Sequence, residues 1–271
     1  MAKNPLGEKS QYPDRYDPSL LYPIPRWPAR SLLDIEKKIR MYGVDHWHAY
    51  ELSWLDADHR PRVAIAEFFF NSDSEHIVES KSLKLYLNSL YNECYKDEAT
   101  LIDLLVSDLS RISMSEVKVV LRAVDEMVQQ LERRTGRSID SAQLGKFGDA
   151  PDALLLRTGG AAVEDEVLFS DLFRSNCPVT GQPDWASVEV RYTGSRIDEG
   201  SLLTYLCSYR QHQGYHEECA ERIFRDILLQ CQPAELRVGL NFLRRGGIDI
   251  NVYRSTVPVT SDTVSERLAR Q

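Results

Sequence analysis

The 271-residue sequence lacks long apolar runs, and none of its hydrophobic stretches approaches the roughly 18 residues that a membrane-spanning helix needs. Its first ten residues, MAKNPLGEKS, contain no apolar core of the kind found in secretory signal peptides. Cysteine is scarce, with five widely scattered residues. An odd number of dispersed cysteines is typical of free thiols in a reducing compartment. We therefore expect a cytoplasmic protein without a membrane partner.

The sequence also lacks a block of basic residues and the common cofactor motifs. Its formal net charge is −8, from 33 Lys and Arg against 41 Asp and Glu. A nucleic-acid-binding protein needs a basic surface to displace counterions from phosphates, so a small-molecule substrate is the better expectation. No GxGxxG follows a predicted strand, which excludes a dinucleotide bound in the Rossmann manner. There is also no CxxC or HxxEH zinc motif.

The hydrophobic pattern predicts the same order of strand, helix, helix and strand in both halves of the chain. Residues 1–30, rich in Pro and Tyr, predict an extended arm without a continuous helix. Residues 124–165 predict a loop. The predicted elements are a hairpin over 50–70, helices at Ser82–Tyr91 and Thr100–Ile112, a strand at 117–121, a strand at 188–192, helices at Ser201–His212 and His216–Cys231, and strands at 236–242 and 248–252.

An internal duplication is visible in the sequence itself. A shift of 119 residues aligns SLKLYLNSLYN, which begins at Ser82, with SLLTYLCSYRQ, which begins at Ser201. The same shift places Glu98 on Glu217. We therefore predict an α+β fold of tandem modules, each an antiparallel sheet with two helices on one face. The module boundary is predicted near residue 135, which gives modules 1–135 and 136–271, and ligand sites tend to form where modules meet.

The stretch SNCPVTGQPDW at Ser175–Trp185 is a candidate for covalent chemistry. It places the thiol of Cys177 before a Gly-Gln-Pro turn and the carboxyl group of Asp184 seven residues further on. A thiol with a nearby carboxyl group can pair a nucleophile with a proton donor, which suits attack on an electrophilic carbon whose nitrogen takes up a proton. A single cysteine can instead be a small buried hydrophobic residue. The motif alone leaves both interpretations open.

The segment HIVESKSLK, which begins at His76, leads from a loop into a predicted helix. Glu79 provides an acceptor there, Ser80 a hydroxyl group and Lys81 a cation. Backbone N–H groups at a helix start together with a lysine can hold a phosphate group, whereas the alternative is a solvated helix cap. The duplicated segment, RIDEGSLL, has no lysine at the positions that correspond to Lys81 and Lys84. This difference indicates that one module kept a role that the other lost.

Two further segments carry candidate binding groups. Glu217 stands at the start of a predicted helix, where a carboxylate can accept two N–H bonds from a guanine-like ring or simply favour the helix dipole. Arg245 and Gly246 belong to an Arg-Arg-Gly-Gly turn, which suits the phosphates of a nucleotide or is an ordinary basic turn. His212, His216 and Cys219 have helical zinc spacing, but Gly214 is expected to interrupt the helix between the histidines. We predict no metal site there.

Taken together, these motifs identify the chain as similar to the 7-cyano-7-deazaguanine reductases, the NADPH-dependent nitrile reductases of queuosine biosynthesis, in their long two-module form. The matching stretches are YDPSLLYPIPR, ELSWL, IVESKSLKLYLNS, SNCPVTGQPDWA, YHEECAERIFRDIL and RRGGIDINVYRS. They run from the N-terminal arm almost to the last residues. The resemblance implies tandem tunnelling-fold modules, reduction of a nitrile to an aminomethyl group with NADPH, and a homodimer.

The resemblance also implies roles for individual residues. Cys177 would form a covalent thioimide with the nitrile carbon, and Asp184, protonated when it acts and therefore expected in a desolvated position, would protonate the nitrogen. The substrate-binding residues would be Val78, Glu79, Ser80, His216 and Glu217. The NADPH-binding residues would be Ser80, Lys81, Arg245 and Gly246.

Three other functions remain open on the residues alone. Zinc-dependent GTP cyclohydrolase chemistry would need a Cys and His metal set that the sequence does not supply. A cysteine hydrolase of nitriles or amides would need water where NADPH would bind. A non-catalytic purine-binding module would explain Glu217 and leave Cys177 without a role.

Overall fold

The computed structural model describes residues 13–33, 39–126, 134–261, 264 and 267–271, and most strands in these ranges form one sheet. Its strands are β2 (Tyr42–Leu55), β3 (Pro61–Asn71), β5 (Val117–Arg122), β6 (Arg137–Ser138), β7 (Thr158–Asn176), β8 (Pro183–Ile197), β9 (Glu235–Phe242) and β10 (Ile248–Ser255). They lie in the order β5-β3-β2-β10-β9-β8-β7-β6. All neighbours are antiparallel except β6 and β7. A separate two-stranded sheet pairs β1 (Pro23–Pro25) with β4 (His76–Val78).

The helices pack as pairs that follow a hairpin in each half. They are α1 (Trp27–Leu32), α2 (Ser80–Asn88), α3 (Glu98–Ser113), α4 (Glu199–Cys207) and α5 (His216–Cys231). Leucines at every fourth position of α3, namely Leu101, Leu105 and Leu109, are fully buried in the main core. The predicted α+β class, with an antiparallel sheet and two helices in each half, is confirmed. No helix in the described ranges is both long and apolar enough to cross a membrane.

The duplication that the sequence indicates is repeated in the hydrogen bonds of α2 and α4. Each helix begins at an acidic N-cap, Glu79 in the first half and Asp198 in the second, whose side chain accepts backbone N–H bonds from the first turn. In each, a tyrosine hydroxyl donates to an aspartate of the following helix. These pairs are Tyr86 with Asp108 at 2.8 Å and Tyr205 with Asp226 at 2.7 Å. The two halves are therefore built by the same local interactions.

The loop predicted over 124–165 is wrong from Thr158 onward. Residues 127–133 lie outside the described residues, but Thr158 begins the long strand β7. The first part of β7 is largely exposed, so it has no alternating hydrophobic pattern that would reveal a strand. Pairing with β8, interrupted by register shifts, holds it in place. The module boundary near residue 135 stays a prediction.

The N-terminal arm agrees with its prediction, and the end of one predicted helix needs a correction. The described part of the arm contains a 3₁₀ helix at Pro18–Leu20, strand β1 and the six-residue helix α1, with no continuous helix, as expected. The helix predicted over Ser201–His212 ends as α4 at Cys207 and continues as a 3₁₀ turn over Ser208–Gln211.

A buried ion network joins the two halves where β10 pairs with β2. Arg254 on β10 donates to Asp45 on β2 at 2.6 Å and to Glu221 on α5 at 2.9 Å. From the arm, Arg26 donates to Asp45 at 2.5 Å and Arg30 donates to Glu221 at 2.7 Å. All five side chains are almost completely buried. Because α5 carries Glu217, this network fixes the helix start that the predicted site depends on.

Candidate active site

A cleft with an empty volume of about 960 Å³, part of it open to solvent, lies where the β7–β8 hairpin meets the starts of α2 and α5. Strand β10 and Trp47 of β2 form its floor. Of the predicted site residues, Val78, Glu79, Ser80, Lys81, Cys177, Asp184, His216, Glu217 and Arg245 line it. Gly246 lines the adjoining pocket, which shares Lys84 with the cleft. The structure therefore brings the predicted residues of both halves together.

The β7–β8 hairpin brings the thiol and the carboxyl group to the same cleft. Ser175 pairs with Asp184 across the two strands, and Cys177 follows directly after β7. The Cys177 N–H donates to the carbonyl of Gln182 at 2.8 Å, and the Gly181 N–H donates back to Cys177 at 3.0 Å. Gly181 adopts a φ of 68°, which is accessible to glycine at little cost. Cys177 is half-buried, so a ligand can reach its sulfur.

Asp184 lies at the centre of the polar contacts in the cleft. It is 3% exposed, so the predicted desolvated position is confirmed. Arg245 donates to its carboxylate and also to the side chain of Gln182. The Nε2 atom of His216 lies 3.8 Å from Asp184 Oδ1. Burial lowers the pKa of His216, partly offset by Asp184, and its ring packs edge-on against Phe242.

Glu217 carries an acceptor without a protein partner. It is 2% exposed in the first turn of α5, and its Oε1 atom has no hydrogen bond to any described residue. Burial raises the pKa of Glu217 to about 8, and the neighbouring Asp45 raises it further while Arg26 lowers it. Leaving a buried polar atom unsatisfied is costly, so such atoms in folded proteins usually mark a ligand or water site. The cleft therefore presents a carboxyl group that is ready to receive a donor.

Glu79 serves as a helix cap and faces the cleft at the same time. Its carboxylate accepts the N–H groups of Lys81 and Ser82, both at 2.8 Å. The cap is not solvated, because Glu79 is 2% exposed. Each carboxylate oxygen can accept more than one bond, so capacity remains for a ligand. Glu79 thus caps the helix, but the cap is buried and not solvated as the alternative interpretation expected, and a ligand contact remains possible.

A group of cations lines one side of the cleft. Lys81, Lys84 and Arg245 all reach it, and burial lowers the pKa of Lys84, with Arg245 lowering it further. Gly246 has a φ of 56°, and a Cβ atom there would lie 3.2 Å from the Lys84 side chain. The turn thus comes close to the cations with no side chain between them. Such a surface fits the phosphates of a nucleotide cofactor.

Sequence comparisons place both halves among nitrile reductases. The family model described as "Nitrile reductase, 7-cyano-7-deazaguanine-reductase N-term" matches residues 12–121, and that described as "QueF-like protein" matches residues 183–259. A protein of Desulfotalea psychrophila named NADPH-dependent 7-cyano-7-deazaguanine reductase is 46% identical and covers 98% of this chain and 97% of its own length. The chain belongs to the 7-cyano-7-deazaguanine reductase family. The resemblance read from the motifs is thereby confirmed.

A second relative named as a reductase agrees. A protein of the same name from Paraburkholderia phytofirmans is 44% identical, with 99% of this chain and 98% of that protein covered. A solved structure titled as the archaeosine synthase QueF-Like in the apo form matches 38% of this chain and 99% of its own, with a TM-score of 0.32 and 20% identity.

Cys177 lies between the two ranges that the family models match, whereas Asp184, Glu217 and Arg245 lie inside the second.

The reductase-family cleft also contains residues that the sequence motifs did not assign. Lys84 was visible in the ESKSLK motif, but only its position on the cleft-facing side of α2 shows that it reaches both pockets. Trp47 belongs to a hydrophobic strand and also lines the cleft. Its buried indole Nε1 has no hydrogen-bond partner among the described residues. No signal in the local sequence distinguishes this tryptophan from a core residue.

The zinc alternative on α5 gains no support. Helix α5 begins at His216, so Gly214 separates it from His212 as predicted. Cys219 is fully buried, and burial lowers the pKa of His212 to about 4. Within the described ranges, these three side chains do not come together as a possible metal-ligand group.

Proposed function

We propose that the protein reduces the nitrile of 7-cyano-7-deazaguanine to 7-aminomethyl-7-deazaguanine with NADPH, as a step in tRNA queuosine biosynthesis. One observation carries this proposal: a thiol, an adjacent carboxyl group and the unpartnered Oε1 of Glu217 converge on a single cleft. The names of its relatives support the substrate and the cofactor. The homodimer and the lack of direct contact with nucleic acid remain predictions.

Glu217 is proposed to bind the edge of the deazaguanine ring. An ionised carboxylate can accept two parallel N–H bonds from such an edge, a charge-assisted contact. Glu79, already fixed by the N-terminus of α2, would accept a further ring donor. Val78, Ser80 and His216 would line the remaining walls. This arrangement orients the ring so that its nitrile points toward the β7–β8 hairpin.

Cys177 is proposed as the nucleophile and Asp184 as the proton donor. The sulfur forms a bond to the nitrile carbon while one of the C–N π bonds breaks, and the nitrogen takes a proton from Asp184, which gives a thioimide. The thiol proton must pass to a neighbour, for which Asp184 and His216 are placed. When the carbon has been reduced twice, the C–S bond has broken and the thiol is restored.

The Arg245 side chain is proposed to exchange partners during the cycle. It now bonds to Asp184 and Gln182. Phosphate oxygens are strong competitors for a guanidinium group, so a bound nucleotide would draw Arg245 away from Asp184. The carboxyl group would then be free to hold a proton next to the substrate nitrogen.

The residues that fit NADPH lie on the cationic side of the cleft. Ser80, Lys81 and Arg245 would contact its phosphates, and Gly246 would allow close approach of the backbone. Bound NADPH would supply the hydride for each reduction. The chain itself orients the nicotinamide, excludes water and provides the positive charge.

Mixing the purified protein with 7-cyano-7-deazaguanine and NADPH tests the proposal. We expect two NADPH to be oxidised for each nitrile consumed, because reduction of a nitrile to an amine takes four electrons. Absorbance of reduced nicotinamide and mass spectrometry of the product provide the two readouts. Conversion of the nitrile without NADPH oxidation would instead identify a hydrolase. Binding with no conversion would identify a purine-binding module.

Replacing Arg245 with Met is expected to raise the KM for NADPH about tenfold, since one charge-assisted contact contributes roughly 1.4 kcal/mol. Steady-state kinetics with varied NADPH measure this change. Arg244→Met is the matched control, because Arg244 belongs to the same turn but packs over the ring of Tyr50. Equal effects of the two substitutions on that KM would contradict the assignment.

A further inference from the structure

A second cluster of polar side chains lies on the other face of the sheet from the cleft. His46 and His48 on β2 point away from Trp47, which faces the cleft, because successive side chains of a strand alternate. Glu67 on β3 pairs directly with His48, and Asp249 on β10 pairs with it from the other side. Three neighbouring strands therefore place Glu67, His48 and Asp249 in one row.

The atoms of this cluster lie at distances that suit a common ligand. His46 Nε2 is 2.9 Å and His48 Nε2 is 3.9 Å from Glu67 Oε2, and one atom from each residue lies within 4.8 Å of the others. Tetrahedral coordination with bonds of roughly 2.1 Å separates the ligands by about 3.4 Å. The two distances to Glu67 fall on either side of that value. Small side-chain movements would thus suffice for coordination.

The surrounding contacts fix the orientation of these side chains. His48 Nδ1 is 2.7 Å from Asp249 Oδ1, and Asp249 itself accepts bonds from Tyr50 at 2.5 Å and Asn251 at 2.9 Å. A carboxylate bonded to Nδ1 selects the tautomer that leaves the lone pair on Nε2, as in many zinc sites. The ring of His46 stacks on Phe69 at 4.2 Å. Arg122 donates to the other carboxylate oxygen of Glu67, Oε1, so Oε2 is the oxygen that faces the two histidines.

The second nitrogen of the His46 ring can carry the ring proton when Nε2 binds an ion. His46 is 4% exposed, and its Nδ1 has no hydrogen-bond partner in the described ranges. The bond from Nε2 to Glu67 is thus the single hydrogen bond that the His46 ring makes with the described residues. We propose that His46, His48 and Glu67 form a binding site for Zn²⁺. Binding replaces the hydrogen bond between His46 Nε2 and Glu67, and the single proton of the neutral ring moves from Nε2 to Nδ1.

The position of the site indicates a structural role. Its three ligands lie on β2 and β3, and the contact of His48 with Asp249 links them to β10 across the seam between the two halves. Ile248 and Ile250, the neighbours of Asp249 on β10, line the floor of the cleft on the opposite face. The ion would hold this floor in place without contacting substrate, and it does not depend on the reaction proposed for the cleft.

The test is a titration of the full chain, without a metal-binding tag, with Co²⁺ after dialysis against a chelator. We expect one Co²⁺ per chain with visible absorption typical of tetrahedral coordination, and its displacement by Zn²⁺. Glu67→Gln and His48→Gln should each abolish the spectrum. Asp249→Asn, which removes the second contact of His48, should weaken binding roughly 10- to 100-fold.

The double variant His59→Ala and Cys94→Ala is the matched control. These residues form an exposed pair, with 3.1 Å between His59 Nδ1 and Cys94 Sγ, and could bind a metal ion adventitiously. Their loss should leave the stoichiometry and the spectrum unchanged. Absence of tetrahedral Co²⁺ absorption in the folded wild-type protein would overturn the proposal, and so would a signal that survives Glu67→Gln but not the control substitutions.

Discussion

Cys177→Ala is expected to reduce turnover by at least roughly 10⁴-fold, since removal of a catalytic nucleophile leaves only the contribution of binding and orientation. The rate of NADPH oxidation with the nitrile substrate measures this loss. Binding of the substrate should persist, because the proposed ring contacts come from Glu217 and Glu79. Cys94→Ala, which removes an exposed thiol elsewhere, is the control and should retain full activity.

Intact-protein mass spectrometry separates the nucleophile from a merely structural cysteine. With the nitrile but without NADPH, the wild-type chain should gain the whole mass of the substrate, because addition to a nitrile loses no leaving group. Cys177→Ala should show no adduct, and Cys94→Ala should show the same adduct as the wild type. An adduct that persists in Cys177→Ala would assign the covalent step to another residue.

Glu217→Gln is expected to weaken binding of the deazaguanine ring by about 10²- to 10³-fold. The substitution replaces one acceptor oxygen with a donor and removes the charge, and loss of one partner of a buried charged contact costs roughly 2–5 kcal/mol. Calorimetry in the Cys177→Ala background measures binding without the covalent step. Glu98→Gln is the matched control, because Glu98 corresponds to Glu217 in the duplication but is exposed.

The pH dependence of ring binding provides a second test of the role proposed for Glu217. Burial raises the pKa of Glu217 to about 8, so the free protein holds this group mainly protonated at pH 7. If the ring binds the ionised form, the dissociation constant should fall by about 50-fold between pH 6 and pH 8 and level off above pH 8. Glu217→Gln should remove this dependence. A profile unchanged by the substitution would contradict the assigned contact.

The raised pKa of Glu217 also affects the free energy of unfolding. Because the folded pKa of Glu217 lies above its ordinary value, the unfolded chain loses this proton first as the pH rises. Glu217 therefore lowers the free energy of unfolding progressively between about pH 4.5 and pH 8. Denaturant titrations across that range should show a smaller decrease for Glu217→Gln.

Local patterns were sufficient to predict most elements and most of the named residues that line the cleft. The alternating residues of β9 and β10 and the four-residue spacing along α3 and α5 reflect burial of one face, which periodicity reveals. The groups that line the cleft and are proposed for catalysis and binding lie in contiguous motifs, such as ESKS and SNCPVTGQPDW. The exposed first part of β7 had no such pattern, because backbone pairing with β8 and not side-chain burial defines it.

Features set by distant parts of the chain could not be predicted. The environment of Glu217 depends on Asp45 and Arg26, which lie far away in sequence. The His46, His48 and Glu67 cluster requires the register of β2 against β3, and a shift by one residue would turn its side chains to the other face. Sequence motifs identify which groups exist, whereas strand pairing decides which of them meet.

The pairing of β2 with β10 also determines when the protein can finish folding during its synthesis. His48 and Asp249 pair although 201 residues separate them, so this contact forms only when β10 has left the ribosome. Closing so long a loop makes the step slow relative to local hairpins and helices. Until then Trp47 has β3 on one side but lacks β10 on the other, so the floor of the cleft is incomplete although Cys177 has already been synthesised. A nascent chain therefore carries the thiol of Cys177 before the strand that completes its cleft has been made.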